Sequence, residues 1–244
     1  MVDFAFPIDW QQGVVERWKF VSDVSTAWNG EEQRVALRAA PVVELEAGAF
    51  CVGDTAVALA AWLEAHQATA FNVPYWPAGE SAPPSLAARM LEPIDSQWIT
   101  PQLARPTVKV RLENGLAPPA APVPDSGGVD ILTAPYPDFA KPVADSWRRL
   151  LEVLDYRTGG IRVLDRSGYG RRRWALEYLL VGGEIDVART FVWRRKGRVR
   201  PALFTAPDGA TVLARLDADD IEWRWITPHL CRVSLGVISL PNET

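Results

Sequence analysis

Proline placement limits the folds open to this chain more than any other feature. Fourteen of its twenty prolines lie between Pro74 and Pro142. Proline fixes φ and removes a backbone donor, so this stretch cannot be helical throughout. Within it, residues 108–112 alternate apolar and polar side chains and end before Asn114-Gly115, which predicts one embedded strand. Residues 117–128 are typical of an extended linker.

The proline-rich stretch divides the chain into three segments. We place a first α+β half at residues 1–80, a proline-rich middle with its strand and linker at 81–142, and a second α+β half at 143–244. A chain of 244 residues and 27.0 kDa is long enough for one large domain or two small ones. Hydrophobic residues at 48% and charged residues at 23% are typical of a globular protein and exclude wholesale disorder.

In the first half, the hydrophobic pattern predicts a strand followed by a helix. Residues 42–50 fit a half-exposed strand, with Val43, Leu45 and Ala47 on one face and Glu44 and Glu46 on the other. Residues 54–66 are rich in Ala and Leu and begin with an acidic cap, which predicts an amphipathic helix. The predicted apolar positions of this helix are Val57, Ala60, Ala61 and Leu63.

The second half repeats this order. Residues 173–181 predict a strand, Gly182-Gly183 breaks it, and residues 184–193 predict a helix whose inward side chains are Ile185, Ala188, Phe191 and Val192. Residues 143–154 predict another amphipathic helix, and residues 221–226 and 230–240 predict a closing antiparallel hairpin. The predicted fold class is therefore α+β, mainly β, with antiparallel sheets and a few amphipathic helices.

The two strand–helix units also align in sequence. Residues 54–79 match residues 184–209 without gaps at an offset of 130, which pairs Val57 with Val187 and Pro77 with Pro207. The shared order of strand, helix, aromatic segment and turn favours an internal duplication of the strand–helix unit. The alternative is two unrelated strand–helix units.

Charge and hydropathy exclude several classes of partner. The net charge is −4 and the pI is near 5.3, so no nucleic-acid partner is expected. No run of about 18 apolar residues occurs, and the N-terminus lacks the pattern of a secretion signal, so we expect no membrane insertion and a protein soluble in the cytosol. Cys51 and Cys231 each lie in an apolar run, which predicts two buried thiols.

The residues needed for catalysis or cofactor binding are scarce. His66 and His229 are the only histidines, and neither has a second metal ligand at a helical or hairpin spacing. No Gly-x-Ser-x-Gly elbow and no phosphate-binding glycine loop occurs. We therefore expect no enzyme activity, no cofactor and no metal site.

Two other features indicate recognition. Residues 171–200 carry a local charge of +6, which leaves −10 for the rest of the chain, and this asymmetry favours contacts between copies. Aromatic side chains at Tyr75, Trp76, Trp223 and Trp225 keep open an alternative function, a carbohydrate-binding module that stacks sugars on exposed rings.

Residues 20–41 resemble virion proteins of tailed bacteriophages. Those proteins carry an Asp-Val, an aromatic-x-Gly, a Glu-Gln-Arg and a Leu-Arg before a proline. The matching positions here are Asp23, Val24, Trp28, Gly30, Glu32, Gln33, Arg34, Leu37, Arg38 and Pro41. The second half resembles the same kind of protein at Glu184-Ile185-Asp186, at Phe191 and at the turn of residues 194–198.

The resemblance implies a minor tail or distal tail protein of the tail tip or baseplate. Such a protein is present in several copies between the tail tube and the host-recognition apparatus. Its expected partners are further copies of itself and the tube, hub, fibre or tape-measure components, and its expected location is the virion tail, after assembly in the host cytoplasm. The assembly-interface residues that we predict are Asp23, Trp28, Gly30, Glu32, Gln33, Arg34, Arg38, Arg194 and Arg195.

Overall fold

The structure of the chain is a computed structural model. It describes residues 1–26, 32–49, 51–78, 83–92, 95–100, 103–132, 144–148, 151–155, 161–165, 171–206 and 209–240. Trp28 and Gly30 lie outside these ranges. Within them the chain is mainly β, and the only two α-helices are thirteen residues each.

The first unit of the fold contains nine strands, five before its helix and four after it. In chain order its elements are β1 (Val14–Lys19), β2 (Ser22–Thr26), β3 (Glu32–Ala36), β4 (Val42–Gly48), β5 (Cys51–Val52), α1 (Asp54–His66), β6 (Phe71–Pro74), a 3-10 turn (Trp76–Ala78), β7 (Ser85–Met90), β8 (Asp95–Thr100) and β9 (Leu103–Leu112). Two short strands follow, β10 (Asp125–Ser126) and β11 (Val129–Leu132).

The second unit has the same kinds of element in the same order. These are β12 (Ala144–Arg148), β13 (Leu151–Asp155), β14 (Ile161–Asp165), β15 (Arg171–Val181), α2 (Gly183–Arg195), β16 (Ala202–Thr205), β17 (Thr211–Leu216), β18 (Asp220–Thr227) and β19 (Leu230–Ser239). In both units a two-stranded hairpin, β2–β3 or β13–β14, stands outside the main sheet.

Strand pairing joins the two units into one sheet. Antiparallel pairs run in the order β12, β15, β19, β18, β1, β4, β9 and β8. Four of these strands come from the second unit and four from the first, and the β18–β1 pair is where the units meet. Strands from all three segments defined by sequence therefore share this sheet.

The apolar faces of the sheet and of both helices form one hydrophobic core. β1 buries alternate residues, Val14, Glu16 and Trp18, as expected for a strand with one covered face. Leu59 and Leu63 of α1 and Phe191 and Val192 of α2 are almost fully buried against the sheets. The helices therefore cover the sheet and stabilise it mainly by apolar burial.

Several sequence predictions are confirmed. The strand at 42–50, the helix at 54–66, the strand at 173–181 and the helix at 184–193 correspond to β4, α1, β15 and α2. The predicted hairpin is β18–β19, and the predicted embedded strand is the end of β9. Both cysteines are free and buried. Glu44 differs from expectation because its side chain is buried rather than exposed.

The helix predicted at residues 143–154 is wrong. β12 pairs antiparallel with β15 over Ala144–Arg148, and β13 pairs with β14 over Leu151–Asp155. Valine, leucine and tryptophan fit a strand as well as a helix. The neighbouring strands supply backbone hydrogen bonds along these segments, and this tertiary pairing overrides the helical spacing of the apolar residues.

The predicted apolar face of α1 is shifted. Ala56, Leu59 and Leu63 are the buried residues, whereas Val57, Ala60 and Ala61 are exposed. The buried positions of α2 that correspond are Ile185, Ala188 and Val192, each 129 residues further along the chain. The offset of 130 used in the sequence alignment is therefore one residue too long for the helices.

Burial on α1 leads to a stability prediction. Leu59→Ala removes a side chain that is 1% exposed, and we expect a loss of about 2–5 kcal/mol from lost burial and the cavity left behind. Val57→Ala at a 63% exposed position is the matched control and should change stability by less than about 0.5 kcal/mol. Urea unfolding of both variants measures the difference, and equal losses would contradict this assignment of the buried face.

Candidate functional site

The candidate site is the seam between the two units, where β1 and β18 pair along six residues. The antiparallel register places Val15 opposite Arg224, Glu16 opposite Trp223, and Arg17 opposite Glu222. On the outer face, Arg17 bonds Glu222 across the seam at 3.1 Å and Glu46 within its own unit at 3.0 Å. On the inner face, the seam encloses a buried charged group.

Glu16 is the centre of this buried group. Its side chain is completely buried, and both of its carboxylate oxygens accept hydrogen bonds. Within the first unit, Trp18 Nε1 donates at 2.6 Å and the Tyr75 hydroxyl donates at 2.9 Å. From the second unit, Trp225 Nε1 donates at 3.0 Å. These donors satisfy the carboxylate in a place that water does not reach.

Arg189 of α2 supplies the opposite charge. Its two terminal nitrogens donate to the two oxygens of Glu16 at 2.6 and 3.1 Å, the fork geometry that suits arginine and carboxylate. One of these nitrogens also lies 2.6 Å from the Tyr75 hydroxyl. The pair joins residues 173 positions apart and therefore connects the units directly.

Aromatic rings surround the Arg189 guanidinium. Its carbon lies 4.5 Å from the ring centroid of Trp18, 5.5 Å from that of Trp225 and 5.6 Å from that of Trp223. Trp193 of α2 packs edge-on against Trp18, with centroids 5.4 Å apart. A cation held among aromatic faces gains attraction from each ring.

The surroundings shift the proton affinities of both partners. Burial by itself lowers the pKa of Arg189, but the charge of Glu16 and the hydrogen bonds to it raise that pKa above its ordinary value. Burial and the negative charge of Glu16 raise the pKa of the Tyr75 hydroxyl well above its ordinary value. Arg189 therefore stays charged and Tyr75 stays neutral at physiological pH, which suits a fixed structural contact.

The residues predicted on the β2–β3 hairpin lie together on one element. Asp23 of β2 is exposed, and Glu32, Gln33 and Arg34 lie on β3 in register with Thr26, Ser25 and Val24. The structure thus brings Asp23, Glu32, Gln33 and Arg34 onto one hairpin, away from the main sheet. Trp28 and Gly30 lie outside the described residues.

Arg38 lines a surface groove of about 550 Å³. Arg89 and Arg111 line it as well, beside Glu113 and the backbone of residues 39–42. Arg89 is paired with Glu113, and Arg111 donates to Glu44 at 2.9 Å. The groove therefore combines exposed positive charge with carboxylates that already partly neutralise it.

The basic segment of residues 171–200 is largely paired inside the chain. Asp130 of β11 bonds Arg195 and lies 3.5 Å from Arg194. Arg195 is 9% exposed, and Arg194 keeps 45% of its side chain exposed. Arg195 therefore fastens β11 to α2, and of these two arginines only Arg194 is presented at the surface.

The proposed sugar-stacking aromatics are not exposed. Trp76, Trp223 and Trp225 are at most 5% exposed, and Tyr75 is half-buried with its hydroxyl bonded to Glu16. The expectation of an exposed platform at these four residues is wrong. Their rings pack in the core and at the seam because the two units meet there.

Sequence analysis missed the central pair of the seam. Glu16 was not singled out, and Arg189 was counted only as part of the basic segment. The alternation of Val14, Glu16 and Trp18 could have placed a carboxylate on the inward face of a strand. An acid in that position requires a buried partner, although the sequence does not indicate which arginine provides it.

Within the described residues, no three His, Cys, Asp or Glu side chains come together as a metal-binding group. Neither of the described helices has the length and apolarity that a membrane-spanning helix needs.

Neither the models of known protein families nor the curated protein sequences give a match to this chain.

The buried pair predicts strong thermodynamic coupling. Glu16→Gln or Arg189→Met should each cost about 3–5 kcal/mol, because each leaves a buried partner without its opposite charge. The double variant should cost clearly less than the sum of the two single variants. Guanidinium unfolding of the wild type, the two single variants and the double variant measures the coupling.

Glu46→Gln, at the partly exposed Arg17–Glu46 pair, is the control and should cost no more than about 1 kcal/mol. Additive losses at Glu16 and Arg189 would contradict a direct buried interaction.

Glu44 predicts a pH dependence of stability. Burial raises the pKa of Glu44, but hydrogen bonds and charges from Lys19 and Arg111 outweigh it and lower the pKa below its ordinary value. A carboxyl group whose pKa is lower in the folded than in the unfolded state stabilises the fold at pH values above its unfolded pKa of about 4.3. This stabilisation is lost as the pH falls through the folded pKa. The stability difference between the wild type and Glu44→Gln should therefore shrink between about pH 6 and about pH 3.

Urea unfolding at several pH values measures this difference. The control is Glu64→Gln on the exposed face of α1, which should change stability little at any pH. A wild-type advantage over Glu44→Gln that stays constant through the acid range would rule out this role of Glu44.

Proposed function

We propose that this chain is a structural component of a bacteriophage tail tip or baseplate, assembled in several copies between the tail tube and the host-recognition apparatus. Its partners in this proposal are other copies of itself and tube, hub, fibre or tape-measure proteins. The single observation that carries the proposal is the seam, where two similar units are joined edge to edge by a strand pair and a buried ion pair. A contact of this kind suits a protein built from repeated units that add side by side.

The internal duplication predicted from sequence is part of this proposal. Support comes from the strand registers. In the first unit Leu45 pairs with Val110, and in the second unit Trp174 pairs with Val237. Trp174 lies 129 residues after Leu45, and Val237 lies 127 residues after Val110. With the same offsets, the pair Cys51–Ala104 corresponds to the pair Leu180–Cys231. Unrelated units would not be expected to agree residue by residue.

The closing hairpins supply further support. The β8–β9 hairpin has a register shift between Trp98 and Thr100, and the β18–β19 hairpin has one between Trp225 and Thr227. The two hairpins also share sequence, since residues 98–103 read WITPQL and residues 225–230 read WITPHL. The same bulge with nearly the same residues favours a common origin for the units.

The helix starts and unit edges agree as well. α1 follows Gly53 at φ 57° and ψ −127°, and α2 follows Gly182 at φ 56° and ψ −126°. At the outer edge, Asp3 pairs parallel with Asn72 of β6, and Ile131 pairs parallel with Leu203 of β16. Each unit therefore includes an added parallel edge from the chain that precedes it.

The carbohydrate-binding alternative has lost its structural basis at the four residues named for it. Trp76, Trp223 and Trp225 are buried, and the Tyr75 hydroxyl is bonded to Glu16. Stacking on a sugar needs an accessible ring face. The β-rich fold and the side-by-side contact of two units favour the assembly function instead.

Immunogold electron microscopy of the phage particles tests the proposed function. An antibody raised against the purified chain should label one end of the tail in virions of the phage whose genome encodes this protein. Virions without label, together with binding of the purified chain on a glycan array, would contradict the tail function and favour carbohydrate binding.

A further inference from the structure

We propose that β8 of one copy pairs antiparallel with β12 of a second copy, which repeats between chains the seam found within the chain. The inference rests on the proposed multi-copy function and names the contact that builds the assembly. It commits to one partner, another molecule of this protein. Two features of the structure carry it: the unpaired edges of the sheet and an exposed face of α1.

The two ends of the eight-strand path are unpaired in the described part of the chain. There, β8 pairs only with β9, and β12 pairs only with β15. Their counterparts in the other unit are β18 and β1, which pair with each other at the seam. An unpaired edge presents backbone donors and acceptors that another strand can satisfy. The chain therefore carries both halves of a second seam, one at each end of its sheet.

The seam fixes the expected register of the new pair. Val15 pairs with Glu46, and Ala144 pairs with Ala175. Both residues of the second pair lie 129 residues after those of the first, so Val15 corresponds to Ala144. Arg224 corresponds to Gln97 at the offset of 127 shown by the hairpins. Since Val15 lies opposite Arg224, Ala144 of one copy is expected opposite Gln97 of the next.

The same mapping gives the neighbouring pairs. Glu16 opposite Trp223 predicts Asp145 opposite Ser96, and Arg17 opposite Glu222 predicts Ser146 opposite Asp95. All of these positions lie on described strands.

Residue types important at the existing seam recur at these edges. Glu16 and Trp18 of β1 correspond to Asp145 and Trp147 of β12, so an acid and a tryptophan occupy the same register positions. Trp225 of β18 corresponds to Trp98 of β8 within the shared WITP sequence. In the existing seam, both indoles donate to Glu16. The second seam thus has the acid and both tryptophans in its sequence.

Exposure of α1 is the second observation. At the existing seam, α2 buries Arg189, Thr190 and Trp193. The positions 129 residues earlier on α1 are Ala60, Ala61 and Glu64, and all three are exposed. The difference follows from position, because the first unit contributes Glu16, Trp18 and Tyr75 beside α2. The face of α1 that carries Ala60, Ala61 and Glu64 is therefore available to the next copy.

The ion pair of the existing seam is not repeated. Ala60 stands where α2 has Arg189, so Asp145 has no arginine at the corresponding helix position. The contact between copies therefore lacks the buried pair that fixes the two units within the chain. Because β8 and β12 are different surfaces, the contact is head to tail, and copies add in one direction; they form a ring where the rotation between copies closes and an open filament where it does not.

Disulfide cross-linking tests the register. In the variant with Gln97→Cys and Ala144→Cys, mild oxidation should give a ladder of covalent oligomers on a non-reducing gel. Directly opposed residues on antiparallel strands bring Cα atoms within disulfide range. Mixing the two single-cysteine variants should give a covalent dimer, and neither should form it alone. The native cysteines are buried, and burial raises the pKa of Cys231 to about 12, so they should contribute little.

The matched register control combines Ala144→Cys with Asp95→Cys, which is displaced by two residues along β8. It should cross-link much less than the variant with Gln97→Cys. A second pair, Ser96→Cys with Asp145→Cys, repeats the test if the first variant fails to fold. A disulfide confined to single chains, equal cross-linking in both registers, or no cross-linking in either predicted pair would overturn the proposal.

Substitution on α1 tests the exposed face. Ala61→Arg places a long charged side chain at the position equivalent to the buried Thr190 and should lower the oligomer mass measured by light scattering by at least half. Val57→Arg is the control, because its counterpart Asp186 is exposed and the mass should not change. Equal masses for the two variants would contradict the proposed docking of this face.

The two proposals fail separately. Tail labelling without cross-linking would leave the tail function standing and overturn the β8–β12 contact. Cross-linking in the predicted register without tail labelling would establish the contact and contradict the tail function.

Discussion

The bidentate pair between Glu16 and Arg189 is the interaction on which the arrangement of the two units depends. It lies beside the strand pair β1–β18, Glu16 is completely buried and Arg189 is 7% exposed, and both carboxylate oxygens and both terminal guanidinium nitrogens are hydrogen-bonded. A buried charge without its partner is strongly unfavourable. The pair therefore disfavours any other register of β1 against β18, because a shift of the strands would separate Arg189 from the carboxylate of Glu16.

The seam also explains why the two helices differ although their positions in the units agree. α2 carries Arg189 and Trp193 against the first unit, whereas α1 has the exposed residues Ala60 and Glu64 at the equivalent places. The sheet has the same asymmetry: the β1–β18 junction is paired, whereas β8 and β12 each pair with a single strand in the part of the chain that the structure describes.

The assembly residues proposed from sequence fall into three groups in space. Asp23, Gln33 and Arg34 share a hairpin outside the main sheet, Arg38 borders a groove, and Arg194 lies beside β11. None of these groups belongs to the β8 or β12 edge. They are therefore separate from the two sheet edges that we propose as the contact between copies.

Local sequence patterns were enough to predict the mainly β class, both helices and the closing hairpin, because each has a characteristic apolar spacing or set of turn residues. They failed at residues 143–154, where β15 supplies the hydrogen bonds that make β12 a strand. They also failed for the aromatics, because Trp223 packs against Trp18 and Trp225 donates to Glu16, and both partners belong to a unit far away in sequence. Only the tertiary structure decided that Glu16 meets Arg189, since a bond across 173 residues depends on how the units meet and leaves no local pattern.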